Sequence, residues 1–308
     1  MAIKGVIRAG FMQLRVLDME KSVHHYEDIL GLDKVGETSD GRVLLKGYDE
    51  FDHHSLILRK ADSPGMDFMG FKCDCEEFLD EVYEKTLAYG LECQWVDANS
   101  DQPGFGRRLA VKLPSGHRID LYASVELAEK YPGLVSPEIW VEQPRGMSVK
   151  GFDHALLYGP ELDKTVKYMT GVLGFHIVER CDKPDGSQLV YWITSSNKPH
   201  EVAFLEYDKP GKLHHVAFAL DNWNEIGHAA DLITINDISM DAGPMRHGVT
   251  RGYTNYFFDP SGNRNETYAG GYTYCPDHPI RVWDMDNIGR GIFYYERKLN
   301  DRFLAIVT

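Results

Sequence analysis

The tripeptide Pro-Ser-Gly occurs twice in the chain, as Pro114-Ser115-Gly116 and as Pro260-Ser261-Gly262. Each copy ends a strand-like run, and each is followed four residues after its glycine by a carboxylate, Asp120 in the first and Glu266 in the second. Repetition of this kind constrains the fold before any single motif is read, because halves that share landmarks share an architecture. Other landmarks fall into line. Ile29-Leu30-Gly31-Leu32 is echoed by Val172-Leu173-Gly174-Phe175, Phe11-Met12-Gln13 matches Phe152-Asp153-His154, and Phe68 matches His215. The second half therefore holds His154, His215 and Glu266 on three strands where the first holds Gln13, Phe68 and Asp120.

Hydrophobic periodicity gives a strand, a helix and then several strands, a pattern that recurs four times. In the first unit a strand at 11–17 leads to Asp18 as N-cap, and an amphipathic helix runs through Val23, Tyr26 and Ile29 to Gly31. Strands at 42–48 and 55–59 complete it. The second unit has a strand at 68–73, a helix at 76–88 and strands at 91–96, 107–113 and 118–123. The third has a strand at 152–158, a helix at 162–173 and strands at 176–180, 188–194 and 201–206. The fourth has a strand at 215–220, a helix at 223–233 and strands at 255–259 and 263–269. The stretch 134–145 reads as a connector, and a tail from about 275 contains an apolar stretch, 292–303, predicted to be helical. The expected division is a metal-free N-terminal domain at 1–145, a metal-binding domain at 146–290 and a C-terminal tail at 291–308.

A chain of 308 residues is long enough for two domains with a substantial core. Its formal net charge of -14, without a basic stripe, argues against nucleic acid as a partner. No apolar run approaches the roughly 20 residues that span a bilayer, so no membrane is expected. Residues 1–5 lack a signal-peptide apolar segment. The five cysteines are odd in number and only Cys73 and Cys75 lie close together, which reads as free thiols in a reducing, cytoplasmic setting.

Among 13 histidines a single strand histidine is ordinarily structural; here two of them and an acid occupy matching places in a repeat. Two neutral imidazoles and one carboxylate leave coordination positions open, the ligand set that favours non-haem Fe(II) and oxygen chemistry. His214 is a rival to His215, and on a regular strand the two point to opposite faces. His215 shares its face with Ala217 and Ala219, which leaves room for a metal and a substrate. His214 falls with Val216, Phe218 and Leu220, which read as core, so His215 is the expected ligand. His200, His247 in the loop Gly243-Pro244-Met245-Arg246-His247-Gly248, and Tyr256 are groups able to exchange protons near such a centre.

The run from His247 through Asn255-Tyr256-Phe257-Phe258-Asp259-Pro260-Ser261-Gly262 to Glu266 resembles the signature segment of the type I extradiol ring-cleavage dioxygenases. Pro64-Gly65-Met66-Asp67-Phe68-Met69-Gly70-Phe71-Lys72 and Leu213-His214-His215-Val216 resemble further segments of that family, and the likeness extends over effectively the whole chain. It implies an α+β fold of four βαβββ modules forming two similar barrel-like domains, the vicinal oxygen chelate arrangement, with Fe(II) in the C-terminal half alone. It also implies O2-dependent cleavage of catechol or a substituted catechol to 2-hydroxymuconate semialdehyde in aromatic-compound catabolism, and a homotetramer. The family's iron ligands carry over to His154, His215 and Glu266, and its acid/base and hydrogen-bonding residues to His200, His247 and Tyr256. Its substrate pocket carries over to Trp192, Val249, Ile292 and Phe303 together with His247 and Tyr256. Met245 and Asn255 depart from the family pattern, where a small or β-branched residue and an aliphatic one are usual, and both bear on pocket shape. A lyase or epimerase of the same superfamily would need a richer carboxylate set, with Gln13 and Asp120 contributing. A protein that only sequesters an aromatic compound would need neither iron nor the proton-handling groups.

Overall fold

Each half of the sequence forms one sheet in the computed structural model, which describes residues 4–140 and 144–308; of the expected connector, 141–143 lie outside the described residues. The first sheet contains β1 (Val6–Val16), β2 (Asp33–Glu37), β3 (Val43–Lys46), β4 (Leu56–Lys60), β5 (Gly65–Cys73), β6 (Cys93–Val96), β7 (Arg108–Lys112) and β8 (Arg118–Tyr122). The second contains β9 (Gly151–Gly159), β10 (His176–Asp182), β11 (Gln188–Thr194), β12 (Val202–Glu206), β13 (Lys212–Ala219), β14 (Met240–Arg246), β15 (Gly252–Phe258), β16 (Arg264–Gly270) and β17 (Arg281–Asp284). Their orders, β2-β3-β4-β1-β5-β8-β7-β6 and β14-β15-β16-β13-β9-β12-β11-β10-β17, superpose when one is read backwards, with β17 as an addition. In both, the two central strands pair antiparallel and each has a parallel neighbour outside it.

Helices α1 (Met19–Val23), α2 (Glu76–Tyr89), α3 (Leu162–Gly171) and α4 (Trp223–Ile235) pack on these sheets. Asn222 starts α4 by accepting from the amides of Asn224 and Glu225, and Gly90 at φ +87° ends α2. The stripes Leu79 and Val82, Val166 and Met169, and Ile226, Ala229 and Ile233 enter one core shared by both halves. The first predicted helix is α-helical only to Val23; a π-helix, His24–Ile29, continues it. That wider turn faces His25 and Tyr26 toward the other half, where His25 Nε2 lies 2.7 Å from Asn265 Oδ1 and the Tyr26 hydroxyl donates to Asp259 at 3.0 Å. Periodicity does not predict β2 or β14, because neither alternates: β2 is largely polar, and β14 carries Gly243-Pro244 and two register shifts. The tail is also not one helix over 292–303. Instead α5 (Ile288–Ile292) stops and α6 (Asp301–Ala305) begins at Asn300, whose side chain caps the amides of Arg302 and Phe303.

The duplicated tripeptides form reciprocal clasps between the halves. At the first, the Ser115 amide donates to Thr165 Oγ1 of α3, Gly211 N donates to the Ser115 carbonyl, and His117 Nε2 donates to the Lys212 carbonyl. At the second, Ser261 Oγ accepts from Leu17 N, while Asn263 accepts from Gly65 N and donates to the Arg15 carbonyl. Gly116 sits at φ +85°, and a Cβ there would lie 2.4 Å from Pro210, so the close approach requires glycine.

Candidate metal centre and active site

Strands β9, β13 and β16 are adjacent, and their register places one small residue, Ala217, opposite both His154 on β9 and Glu266 on β16. His154, His215 and Glu266 are buried, and one ligand atom from each lies within 4.8 Å of the others. Glu266 Oε2 is 3.0 Å from His154 Nε2 and 3.1 Å from His215 Nε2. Both imidazoles are turned by partners on their far nitrogens. His154 Nδ1 donates to Asp153 Oδ1 at 2.6 Å, and Asp153 is in turn held by Lys198 Nζ at 2.8 Å. His215 Nδ1 faces His214 Nδ1 at 2.8 Å. Thr254 Oγ1 donates to the other carboxylate oxygen of Glu266 at 2.7 Å. Two imidazole nitrogens and a carboxylate oxygen thus converge in a buried volume, and because each residue's outer side is already occupied, all three inner atoms are turned toward one point. The donor set therefore fits a divalent metal ion with open coordination positions.

Electrostatics follow from the same geometry. Burial pushes the Glu266 carboxyl up, but the two imidazoles outweigh it and hold the group well below the ordinary range. Burial lowers both histidines; the carboxylates of Glu266 and Asp153 nevertheless carry His154 up to about 9, whereas His215 stays down at about 4.

Around this cluster a small cavity is lined by His200, His247 and Tyr256 and by Trp192, Val249, Ile292 and Phe303. His200 is held neutral by burial and by His154 beside it, with ring centroids 4.0 Å apart, and its buried Nδ1 has no protein partner. His247 Nδ1 donates to the Ile292 carbonyl at 2.6 Å, so its Nε2, 2.9 Å from the Tyr256 hydroxyl, accepts the phenolic proton. Burial, reinforced by Glu266, keeps that phenol protonated far above its ordinary range.

Four residues escape sequence reasoning. Tyr268 and Thr254 follow from alternation, two residues beyond Glu266 and two before Tyr256 on their strands, and Asp153 directly precedes a ligand candidate. Thr250 lines the cavity from a loop in which it and Arg251 have positive φ, and no pattern marks it. Of the two departures from the family pattern, Asn255 points away, donating to the Ile226 carbonyl of α4 and to Thr267, whereas Met245 packs beneath Tyr256 with Phe293 and Phe303.

Two readings change. His214 is buried, as expected, but packs against Tyr158 and Phe303 rather than with Val216 and Phe218, because a β-bulge between Leu213 and His215 breaks the alternation. Its ring stacks on Tyr158 at 4.9 Å and meets Phe303 edge-on at 4.8 Å. The counterpart of His154 also shifts by one strand repeat: Ala217 pairs with His154, and the matching Gly70 pairs with Phe11, while Gln13 pairs with Phe68. The first half thus places Phe11, Phe68 and Asp120 where the second has two histidines and Glu266.

Residues 151–267 match the Glyoxalase/Bleomycin resistance protein/Dioxygenase superfamily, and residues 66–126 match the catechol 2,3-dioxygenase-like N-terminal domain. The chain is 45% identical to a metapyrocatechase of Pseudomonas sp. strain CF600 across 99% of each chain. It is 27% identical to a manganese-dependent 2,3-dihydroxybiphenyl 1,2-dioxygenase of Geobacillus genomosp. 3 over 94% of each. The crystal structure of the 2,3-dioxygenase LapB from Pseudomonas sp. KL28 superposes with a TM-score of 0.90 at 42% identity, covering 93% of this chain and 100% of that one. With this likeness over its full length, and a buried two-histidine, one-carboxylate centre in its second half, the chain belongs to the metapyrocatechase (catechol 2,3-dioxygenase) family.

Proposed function

We propose that the protein is an Fe(II)-dependent catechol 2,3-dioxygenase that opens the ring of catechol, or a substituted catechol, beside its hydroxyls to give 2-hydroxymuconate semialdehyde. The observation that carries this is the convergence of His154, His215 and Glu266 at the floor of a buried cavity flanked by three proton-handling side chains. Both atoms of O2 enter the product, so no external reductant is required. His154, His215 and Glu266 hold the metal in the half 146–290, the half 1–145 is metal-free, and the tail 291–308 closes the site. Bound Fe(II) supplies the Lewis acidity that lowers the pKa of a catechol hydroxyl and the redox link between the ring and O2. The relative that uses manganese makes the choice of metal a matter for measurement.

The remaining work falls to side chains of this chain. The Tyr256–His247 pair orients the catechol oxygens and takes up the proton released when substrate binds as a monoanion: the phenol already donates to His247 Nε2, which leaves its oxygen as an acceptor. His200, neutral and with a free ring nitrogen, would hydrogen-bond dioxygen, take up the proton of the remaining catechol hydroxyl and return it late in the reaction. Trp192, Val249, Ile292 and Phe303 exclude water and hold the ring by apolar contact. A neighbouring cavity of about 300 Å³ shares Leu156, Trp192, Ile292 and Phe303 with the site and is lined mainly by apolar side chains, room for a ring substituent.

Among the described residues no helix is long and apolar enough to cross a membrane. We extend the reading to a cytoplasmic homotetramer, which light scattering would test. The functional test is anaerobic loading with Fe(II) and addition of catechol in air while following a yellow ring-fission product. Formation that depends on Fe(II) and disappears in His215→Ala is expected. Stoichiometric iron without product from any catechol would leave the fold without this activity.

A further inference from the structure

We propose that the C-terminal tail fixes the tautomers of the site's histidines: the backbone carbonyls of Phe303 and Ile292 set the hydrogen-bond direction of His214 and His247, and through His214 that of His215. This rests on the metal-centre reading given above. A carbonyl oxygen only accepts, so the ring nitrogen facing it carries the hydrogen. His214 Nε2 lies 2.9 Å from the Phe303 carbonyl and therefore donates to it. The other nitrogen of a neutral His214 is then bare, and the hydrogen in the 2.8 Å contact between the two Nδ1 atoms belongs to His215. His215 Nε2 is left with its lone pair directed at Glu266, the orientation a metal requires. The opposite tautomer of His214 would reverse the chain and place a hydrogen on that nitrogen. The same logic at Ile292 leaves His247 Nε2 free to accept from Tyr256.

The tail is anchored in a way that holds the Phe303 carbonyl still. Arg264, 1% exposed, donates to it at 3.0 Å and to the Ile306 carbonyl at 2.8 Å. Thr308 and Leu213 exchange two backbone hydrogen bonds at 2.9 Å each, immediately before His214. The β-bulge brings His214 into this position, because on a regular strand its ring would leave the face shared with His215. His214 is thus a positioning residue, and the two metal-binding imidazoles are supported differently, His154 by a carboxylate and His215 by a neutral ring relayed to the chain end.

Zn(II) affinity of the full-length protein, measured by competition with a fluorescent chelator, tests this. His214→Phe keeps the aromatic packing and removes both hydrogen bonds, and is expected to weaken Zn(II) binding about 10- to 100-fold. His214→Gln, whose amide can donate to Phe303 and accept from His215, is expected to restore most of it. Two results overturn the proposal: a His214→Phe variant that binds as tightly as wild type, or two variants equally weak while their melting temperatures match wild type. If neither variant folds, ¹⁵N NMR of the zinc-loaded, histidine-labelled wild type decides. His214 as the Nε2–H form and His247 as the Nδ1–H form support the proposal, and the reverse at His214 refutes it. Wild-type protein that takes up neither zinc nor iron would overturn the metal-centre reading itself, and the relay with it.

Discussion

His117, in the clasp that closes the first half on the second, makes the pH dependence of stability predictable in sign and size. It is 2% exposed; Nε2 donates to the Lys212 carbonyl at 3.0 Å and Nδ1 accepts from Ser115 Oγ at 2.9 Å. Burial pushes its imidazole down to about 4, whereas in an unfolded chain the group titrates near about 6.5. Between those values the unfolded chain binds a proton that the native protein does not. The contribution is therefore fully present above about pH 6.5 and drains away as pH falls toward about 4. At about pH 5 a single group with these two constants has lost about 2 kcal/mol relative to neutral pH. His117→Gln retains a donor and an acceptor but cannot titrate. Urea unfolding at about pH 7.5 and about pH 5 should show the wild type losing about 2 kcal/mol more than the variant. His54, which burial holds down to about 3, titrates in both proteins and cancels. Equal losses in wild type and variant would refute the reasoning, because they would mean that protonating His117 does not break the clasp.

Further outcomes are expected. Asp153→Asn removes the carboxylate behind His154 and should lower metal affinity about 10- to 100-fold by chelator competition, with folding intact. Thr254→Val removes the hydroxyl that donates to Glu266; a charged hydrogen bond worth about 1.5–3 kcal/mol predicts a comparable loss of affinity. His200→Asn should slow turnover while iron content stays stoichiometric, whereas Glu266→Ala should lose iron by elemental analysis; retained iron in the latter would remove Glu266 from the ligand set. Alkyl substituents that reach the neighbouring apolar cavity should raise affinity, with KM falling by up to about fourfold per buried methylene, and a flat series would place the substituent elsewhere.

Much of this site is legible in the sequence because it lies on strands of a repeat. Alternation and matched position single out His154, His215 and Glu266 without any structure, and the family likeness adds His200, His247, Tyr256 and the apolar wall, all of which the fold gathers at one cavity. What stays hidden depends on breaks in regularity. A bulge at His214 cannot be read from a strand pattern that assumes strict alternation, so the pattern puts that residue with Val216 and Phe218. A two-residue offset between β1 and β9 preserves the face and is invisible to periodicity, which is why Gln13 takes the place of Phe11 in the sequence match. The π-turn at His24–Ile29 arises from contacts with a strand more than 200 residues away, and local propensity carries no trace of it.

The two halves solve one electrostatic problem in different ways. Both bury a carboxylate at the same place in the repeat, and a buried carboxylate needs a positive charge nearby. Thr254, on β15 of the second half, has Arg108 as its counterpart on β7 of the first, at the spacing of the two Pro-Ser-Gly turns. Arg108 is 1% exposed, its Nε lies 3.3 Å from Asp120, and Arg118 grips the same carboxylate with two bonds at 2.7 and 2.8 Å. Phe11 and Phe68 fill the space that the histidines occupy in the other half, their rings 5.9 Å apart and edge-on. The first half thus carries its cation covalently, as a guanidinium wedged beside two aromatic rings, and a metal ion placed there would meet like charge and no imidazole. In the second half threonine replaces that arginine and withdraws the built-in charge, and two histidines stand in for the rings. The carboxylate there faces two imidazoles, 3.0 and 3.1 Å away, in place of a guanidinium, and imidazoles can turn lone pairs to a cation from solution, which turns a structural ion pair into a site.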